Sequence, residues 1–282
     1  MRVFRSMGIA LLVTCVIALL ALPVGCRPAP PPKLKVVTTT SLLGSIVERV
    51  GKEKVEVTVI TAPATCPGEY DVKPSQIEAT AKAKLFFMHG WPGEAFVEGL
   101  LKAAKNPDLR VETIKLKGNW MTPPIQAQGV ERVTAVLGEV DPANKDFYQA
   151  NAEALLKIIQ SKGKELKAKL EAAKVGEVNV ICMMYQAGFL KWAGFNVVAT
   201  YPRPADLTPE KVKELVDKGR EAGVALVVDN LQSGPDAGVQ MAQEMGAVHV
   251  TLSNFPGGFE GTETWEKAIE RNVELLLEAL GK

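Results

Sequence analysis

Apolar positions recur along this chain with two periods, and the switches between them mark out its elements. Leu34 to Thr39 reads LKVVTT, a short β-branched strand; Ser41 then caps an apolar-periodic helix that runs through Val50 and ends at Gly51. Val55 to Ile60 alternates as a second strand, and Leu85 to His89, LFFMH, is a third that runs into Gly90-Trp91-Pro92-Gly93. Between them, Ser75-Gln76-Ile77-Glu78 has the form of a capping box that opens a helix. A helix, a fourth strand near Val111 to Leu116, a linking stretch Gly118 to Pro124 and a helix around Val130 to Gly138 follow.

The longest periodic segment is Asp141 to Lys174. Asp141 stands as an N-cap with Pro142 at the first helical position. Tyr148, Ala152, Leu155, Ile159, Leu166, Leu170 and Ala173 keep one apolar stripe, interrupted at Lys162-Gly163. Unbroken, such a helix runs about 50 Å. It divides the chain into two stretches of similar size, each alternating strand and helix. A strut between two lobes explains that layout; a long surface helix on one large domain is the alternative.

Beyond it the pattern restarts. Val178 to Met183, Val197 to Thr200, Ala225 to Asp229 and Val248 to Leu252 read as strands. Helices begin at Gly188 and at Thr208-Pro209-Glu210, another runs to Met245, and an amphipathic helix spans Glu263 to Leu280. Strands separated by helices imply an α/β fold: two lobes, each a parallel sheet with flanking helices, bridged by one long helix. In such sheets ligands sit beyond the carboxyl ends of the strands, so two facing lobes make a cleft.

The N-terminus changes the picture. Arg2 and Arg5 precede a nearly unbroken apolar run from Ile9 to Leu22, then Pro23-Val24-Gly25-Cys26. Small residues before a Cys resemble a bacterial lipoprotein signal of residues 1–25, with Cys26 as the lipidated first residue; Pro23 stands where that signal usually has Leu. An uncleaved anchor is the alternative, and either form exports the chain. Residues 26–33 are a proline-rich tether suited to holding a domain off a membrane. Lobes of residues 34–140 and 175–282 then flank the inter-lobe helix 141–174.

Removing residues 1–25 takes two Arg and no acid, leaving 31 Lys+Arg against 32 Asp+Glu, a formal charge of −1. No basic face is implied, so nucleic acid is not an expected partner. Of four Cys, Cys15 would leave with such a signal and Cys26 would be lipidated. Cys66 and Cys182 remain, as a disulfide, as thiols at one site, or unrelated.

The segments VVTTTSLLGSIVERVGKEKVEVTVI, YDVKPSQIE, LGEVDPANKDFYQANAEALL, YPRPADLTPEKVKELVDKGREAGVALVVDN and GGFEGTETWEKAIERNVELLLEAL resemble the metal-binding (TroA-like, cluster A-I) solute-binding proteins of bacterial ABC importers. The resemblance covers nearly all of the mature chain. It implies two α/β lobes joined by one long helix, no enzymatic activity, a cargo held between the lobes, and an ABC importer permease as partner. Such proteins usually bind zinc or manganese with three His and one carboxylate. On the matching motifs those positions fall at Gly68, near Asn119, near Met184 and near Ser253, so the usual site is missing. The chain has two His, His89 and His249.

Other chemistry lies at the same strand ends. Cys66, His89 and Cys182 are candidate metal ligands, suited to copper or zinc, with Met121, Met184 and Asp229 nearby. Equally, Cys and Met on strands serve as core, and Asp229 serves as a helix cap. A second reading keeps the fold but binds a small organic anion through Arg203 with Trp91 and Tyr70. The loop Thr61 to Pro74 also presents Glu69 and Asp71. A third reading makes Cys66 a nucleophile with His89 as base, but no orienting third group or oxyanion turn accompanies them. His249, within the last strand, is expected to be structural.

Overall fold

The structure, a computed structural model, describes residues 32–282, and among them eight short runs, most rich in Val, Ile, Leu and Phe, form the strands. The expected signal of residues 1–25, the lipidation site Cys26 and most of the 26–33 tether lie outside the described residues. The first lobe contains β1 (Leu34–Thr38), α1 (Ser41–Gly51), β2 (Val55–Val59), α2 (Pro74–Lys82), β3 (Leu85–Met88), α3 (Phe96–Ala104) and β4 (Arg110–Thr113). Its sheet has the order β2-β1-β3-β4, and every pair is parallel. Two helices follow, α4 (Pro123–Val140) and α5 (Lys145–Ala172). The second lobe contains β5 (Asn179–Met183), α6 (Ala187–Ala193), β6 (Asn196–Tyr201), α7 (Pro209–Ala222), β7 (Leu226–Asn230), α8 (Val239–Met245), β8 (Val248–Leu252) and α9 (Trp265–Ala279). Its sheet runs β6-β5-β7-β8, again all parallel. This is the expected α/β architecture, and in each lobe the parallel register puts all strand carboxyl ends on one edge.

The bridging helix is α5. Tyr148, Ala152, Leu155, Ile159, Leu166 and Leu170 are buried along it, as the stripe predicts. Its first half bonds to the first lobe, with Asn151 Nδ2 donating to the Val50 carbonyl at 2.9 Å. Its second half bonds to the other lobe: Lys162 Nζ reaches Glu270 Oε1 at 3.1 Å, and Lys167 Nζ donates to the Trp192 carbonyl at 2.9 Å. One hydrophobic core therefore runs from Val36 and Leu43 through the α5 stripe to Val180 and Leu226.

The start of this helix differs from expectation. Pro142–Asn144 forms a 3₁₀ turn and α5 begins at Lys145, so its 28 residues span about 42 Å. Asp141 Oδ2 accepts from Asn144 Nδ2 and Tyr148 Oη instead of capping the backbone. The apparent fault at Gly163 is a contact: a Cβ there would lie 2.8 Å from Pro123 Cγ, so only Gly lets the start of α4 approach α5 this closely. Two other starts also differ. Ser41 does not cap α1; its hydroxyl donates to the Pro256 carbonyl of the other lobe at 2.7 Å. In α2 the capping box uses Gln76, whose Oε1 accepts from the Lys73 N–H, and not Ser75 with Glu78.

Candidate functional site: an amide-lined junction between the lobes

The two carboxyl edges meet directly. Gln232 Nε2 donates to the Pro63 carbonyl at 2.8 Å, and Ser233 Oγ lies 3.8 Å from Cys66 Sγ. The Trp91 and Phe255 rings are stacked at 6.4 Å between centroids, and Trp265 Nε1 donates to the Trp120 carbonyl at 3.2 Å.

On the first lobe, the turn after β3 is held by a buried carboxylate. Glu94 accepts from Thr39 Oγ1 and from the backbone N–H groups of His89, Gly90 and Trp91. Four donors on one buried anion fix this turn. It aims His89 inward, with Nε2 2.8 Å from Thr40 Oγ1, its ring stacked on Trp91 at 3.7 Å and edge-on to Trp120 at 4.5 Å. His89 is buried, its Nδ1 has no partner, and burial holds its pKa well below the usual imidazole value. It is a neutral structural side chain.

At the centre of the junction lies a chain of four carboxamides. Gln186 Nε2 donates to the Leu252 carbonyl at 3.2 Å and to Asn230 Oδ1 at 2.9 Å. Asn230 Oδ1 also accepts from Asn254 Nδ2 at 2.8 Å, and Asn254 Nδ2 reaches the Tyr185 carbonyl at 3.3 Å. Asn119, from the first lobe, donates through Nδ2 to Asn254 Oδ1 at 3.0 Å and to the Tyr185 carbonyl at 2.9 Å. Its own Oδ1 accepts from the Met121 N–H at 2.8 Å. A backbone acceptor at one end and a backbone donor at the other thus fix which way each amide points. Close by, Ser253 Oγ accepts from Gln232 Nε2 and from the Phe255 N–H, and Asn272 clamps the Ser253 backbone from both sides. None of Asn119, Gln186, Asn230, Gln232, Ser253 and Asn254 is ionisable.

The expected metal site does not form. Among the described residues, no three His, Cys, Asp or Glu side chains gather closely enough to hold a metal ion. Cys182 faces the core of its lobe, and burial pushes its thiol pKa up to about 12, the opposite of what a thiolate ligand needs. Cys66 and Cys182 are both free, so the disulfide alternative falls as well. With His89 neutral and enclosed, the nucleophile–base pair of the enzyme reading has no support. Met121 is fully buried in the core.

Asp229 is buried too, but turned from the junction. Its Oδ1 accepts from Tyr201 Oη at 2.6 Å, and its Oδ2 accepts from the Gly238 N–H and lies 2.7 Å from His249 Nε2. Adjacent strand residues face opposite ways, so Asn230 points to the junction and Asp229 does not.

The anion site is not assembled either. Arg203 is part-exposed and pairs with Asp206 at 3.3 Å, Trp91 is taken up by His89, and the Tyr70 hydroxyl accepts from Gln76 Nε2 while its ring packs on Phe96. Glu69 is exposed in the turn Pro67–Glu69. Asn119 bonds to Asn254, the chain neighbour of Ser253, and Met184 and Tyr185 stay exposed by 50% and 43%. Gln186, Asn230, Gln232 and Asn254 were not singled out by the sequence reading.

Comparison with known proteins bears on these observations. The family model of ZnuA, zinc-uptake complex component A, periplasmic, matches residues 36–279. The chain is 29% identical over 253 residues to the metal ABC transporter substrate-binding lipoprotein FimA of Streptococcus parasanguinis, covering 79% of this chain and 80% of that one. It is 24% identical over 272 residues to the manganese-binding lipoprotein MntA of Halalkalibacterium halodurans, covering 88% and 89%. In fold it resembles the Mn-bound periplasmic metal binding protein of Candidatus Liberibacter asiaticus, with a TM-score of 0.74 at 18% identity over 87% of this chain and 98% of that one. A crystal structure of ZnuA gives 0.74 at 20% identity over 88% and 99%. The chain therefore belongs to the ZnuA family of periplasmic uptake-complex components, exported binding proteins and not enzymes.

Proposed function

We propose that this protein is the cargo-binding lipoprotein of an ABC importer, anchored through Cys26, which takes a metal-containing complex between its lobes and passes it to the importer's permease. A relative named as a metal ABC transporter substrate-binding lipoprotein supports the transport class, and one named as a manganese-binding lipoprotein supports the metal. The division into lobes 34–140 and 175–282 around helix 141–174, with a signal 1–25 and a tether 26–33, belongs to the same reading.

The observation that carries it is the amide chain through Asn119 and Asn254. On the resemblance to the family motifs, the ligand positions fall near Asn119, near Met184 and near Ser253, with Gly68 for the fourth. A bare zinc ion sheds water on binding and needs imidazole, thiolate or carboxylate donors in return, and manganese needs free carboxylate or carbonyl oxygens. Neutral carboxamides already bonded to one another do not fit that demand. They do fit a cargo that keeps its own ligands and meets the protein through hydrogen bonds. Copper or zinc held by Cys66 and His89 forms no part of this account.

Elemental analysis of the purified full-length protein, with mass spectrometry of what it releases on denaturation, tests this. The expected result is metal released together with a small-molecule ligand, unchanged in Cys66→Ser. Stoichiometric zinc or manganese held through extensive dialysis with no accompanying ligand overturns it.

A further inference from the structure

The orientation of the carboxamides says which groups a cargo must carry. The Leu252 carbonyl requires Gln186 to present Nε2, so Asn230 Oδ1 is an acceptor and Asn254 must place Nδ2 toward it. Asn254 Oδ1 is thereby left facing Asn119, beside the Tyr185 carbonyl. The second lobe offers two oxygens at this point, and the Asn119 –NH₂ group satisfies both. A third acceptor, Gln186 Oε1, is fully buried and has no partner at all. An unpaired buried acceptor is destabilising, so a donor that reaches it is favoured.

We propose that the second lobe selects cargo by its hydrogen-bond donors: an N–H or O–H bearing head, cationic or neutral, bridges Tyr185 O and Asn254 Oδ1 in the place where Asn119 Nδ2 now sits. Asn119 is then an internal competitor, and cargo presenting only acceptors is rejected because it would set oxygen against oxygen. This rests on the reading of a cargo bound through hydrogen bonds. The donor chemistry has two possible sources, ligands coordinated to a metal and the head of a free amine.

Calorimetric titration of the full-length protein in detergent tests it with three probes. Hexaamminecobalt(III) is exchange-inert and presents only N–H donors. Hexacyanocobaltate(III) is equally inert and presents only acceptors, and methylammonium supplies a donor head with no metal. The expected result is saturable binding of the hexaammine, about tenfold weaker in Asn254→Leu and about tenfold tighter in Asn119→Ala, where the competitor is gone. Methylammonium binding with the same mutational pattern assigns the donor to an amine; its failure to bind assigns it to a metal complex. The proposal is overturned if the hexacyanide binds in preference, if neither the hexaammine nor methylammonium binds, or if both variants bind the donor probes like the parent. Preference for the hexacyanide leaves the hydrogen-bonded cargo standing and removes only this inference. One-to-one zinc binding by direct coordination, seen by X-ray absorption, removes both.

Discussion

Asn119 of the first lobe donates to Asn254 Oδ1 of the second at 3.0 Å, making one continuous hydrogen-bonded chain from the Met121 N–H to the Leu252 carbonyl. The lobes are therefore joined by side chains of the protein itself at the place where cargo is proposed to bind. The Gly188 side of the junction is shaped for this, since a Cβ at Gly188 would lie 3.0 Å from Asn119 Cβ.

If that bond couples the lobes, a double-mutant cycle of Asn119→Ala and Asn254→Ala measures it. A net coupling of about 1 kcal/mol in unfolding free energy is expected, the usual worth of a neutral hydrogen bond. Additive losses would show that the two amides are neighbours without being partners.

The close approach at Gly163 predicts a second outcome. Ala is the better helix former by about 1 kcal/mol, but a methyl group here would press on the ring of Pro123 at 2.8 Å and 3.0 Å. Overpacking of this kind costs about 1–3 kcal/mol. Gly163→Ala should therefore lower the urea midpoint; a raised midpoint would mean that Pro123 yields freely.

Burial of His89 predicts a pH dependence. Its pKa is depressed in the folded state by desolvation, so the unfolded chain takes up a proton first as pH falls. Stability is then full above the ordinary imidazole pKa of about 6.5 and declines below it, by at most about 1.4 kcal/mol per pH unit, until the depressed folded pKa is reached. Urea denaturation at pH 7.5, 6.0 and 5.0 reads this, and His89→Gln should flatten the curve. An equally steep curve in the variant would assign the effect to other groups.

The two thiols should behave differently. Cys66 is part-exposed, whereas the Cys182 thiol is buried and its pKa is raised to about 12. Mass-mapped alkylation of the native protein should modify Cys66 and spare Cys182 until unfolding. A peptide carrying a Cys66–Cys182 disulfide would contradict the structure.

Much of the fold was legible before the structure because its signals are local. Continuous apolar runs such as ALVVD mark buried parallel strands, and the spacing from Tyr148 to Leu170 marks the face of α5 that enters the core. The site was legible only in part. Asn119 and Ser253 were reached through positions near the family motifs, but Gln186, Asn230, Gln232 and Asn254 are ordinary polar residues at a strand end and in the turns, and only tertiary contact brings them together. Cys66, His89 and Cys182 drew attention as metal-binding residue types, yet side-chain direction decides use, and His89 and Cys182 point into packed interior. Asp229 missed the junction by a single residue, because the strand turns alternate side chains to opposite faces. Capping was misread at Ser41 for a similar reason: its hydroxyl is committed to Pro256, far away in sequence.

The central claim is that neutral, mutually bonded amides occupy the place where a bare divalent ion would need charged or imidazole donors. Calorimetric titration of the full-length protein with zinc and with manganese tests it most directly. The account predicts no saturable one-to-one site at micromolar or lower concentration for either ion. A single stoichiometric site of micromolar or tighter affinity, lost in Asn119→Ala, would contradict it.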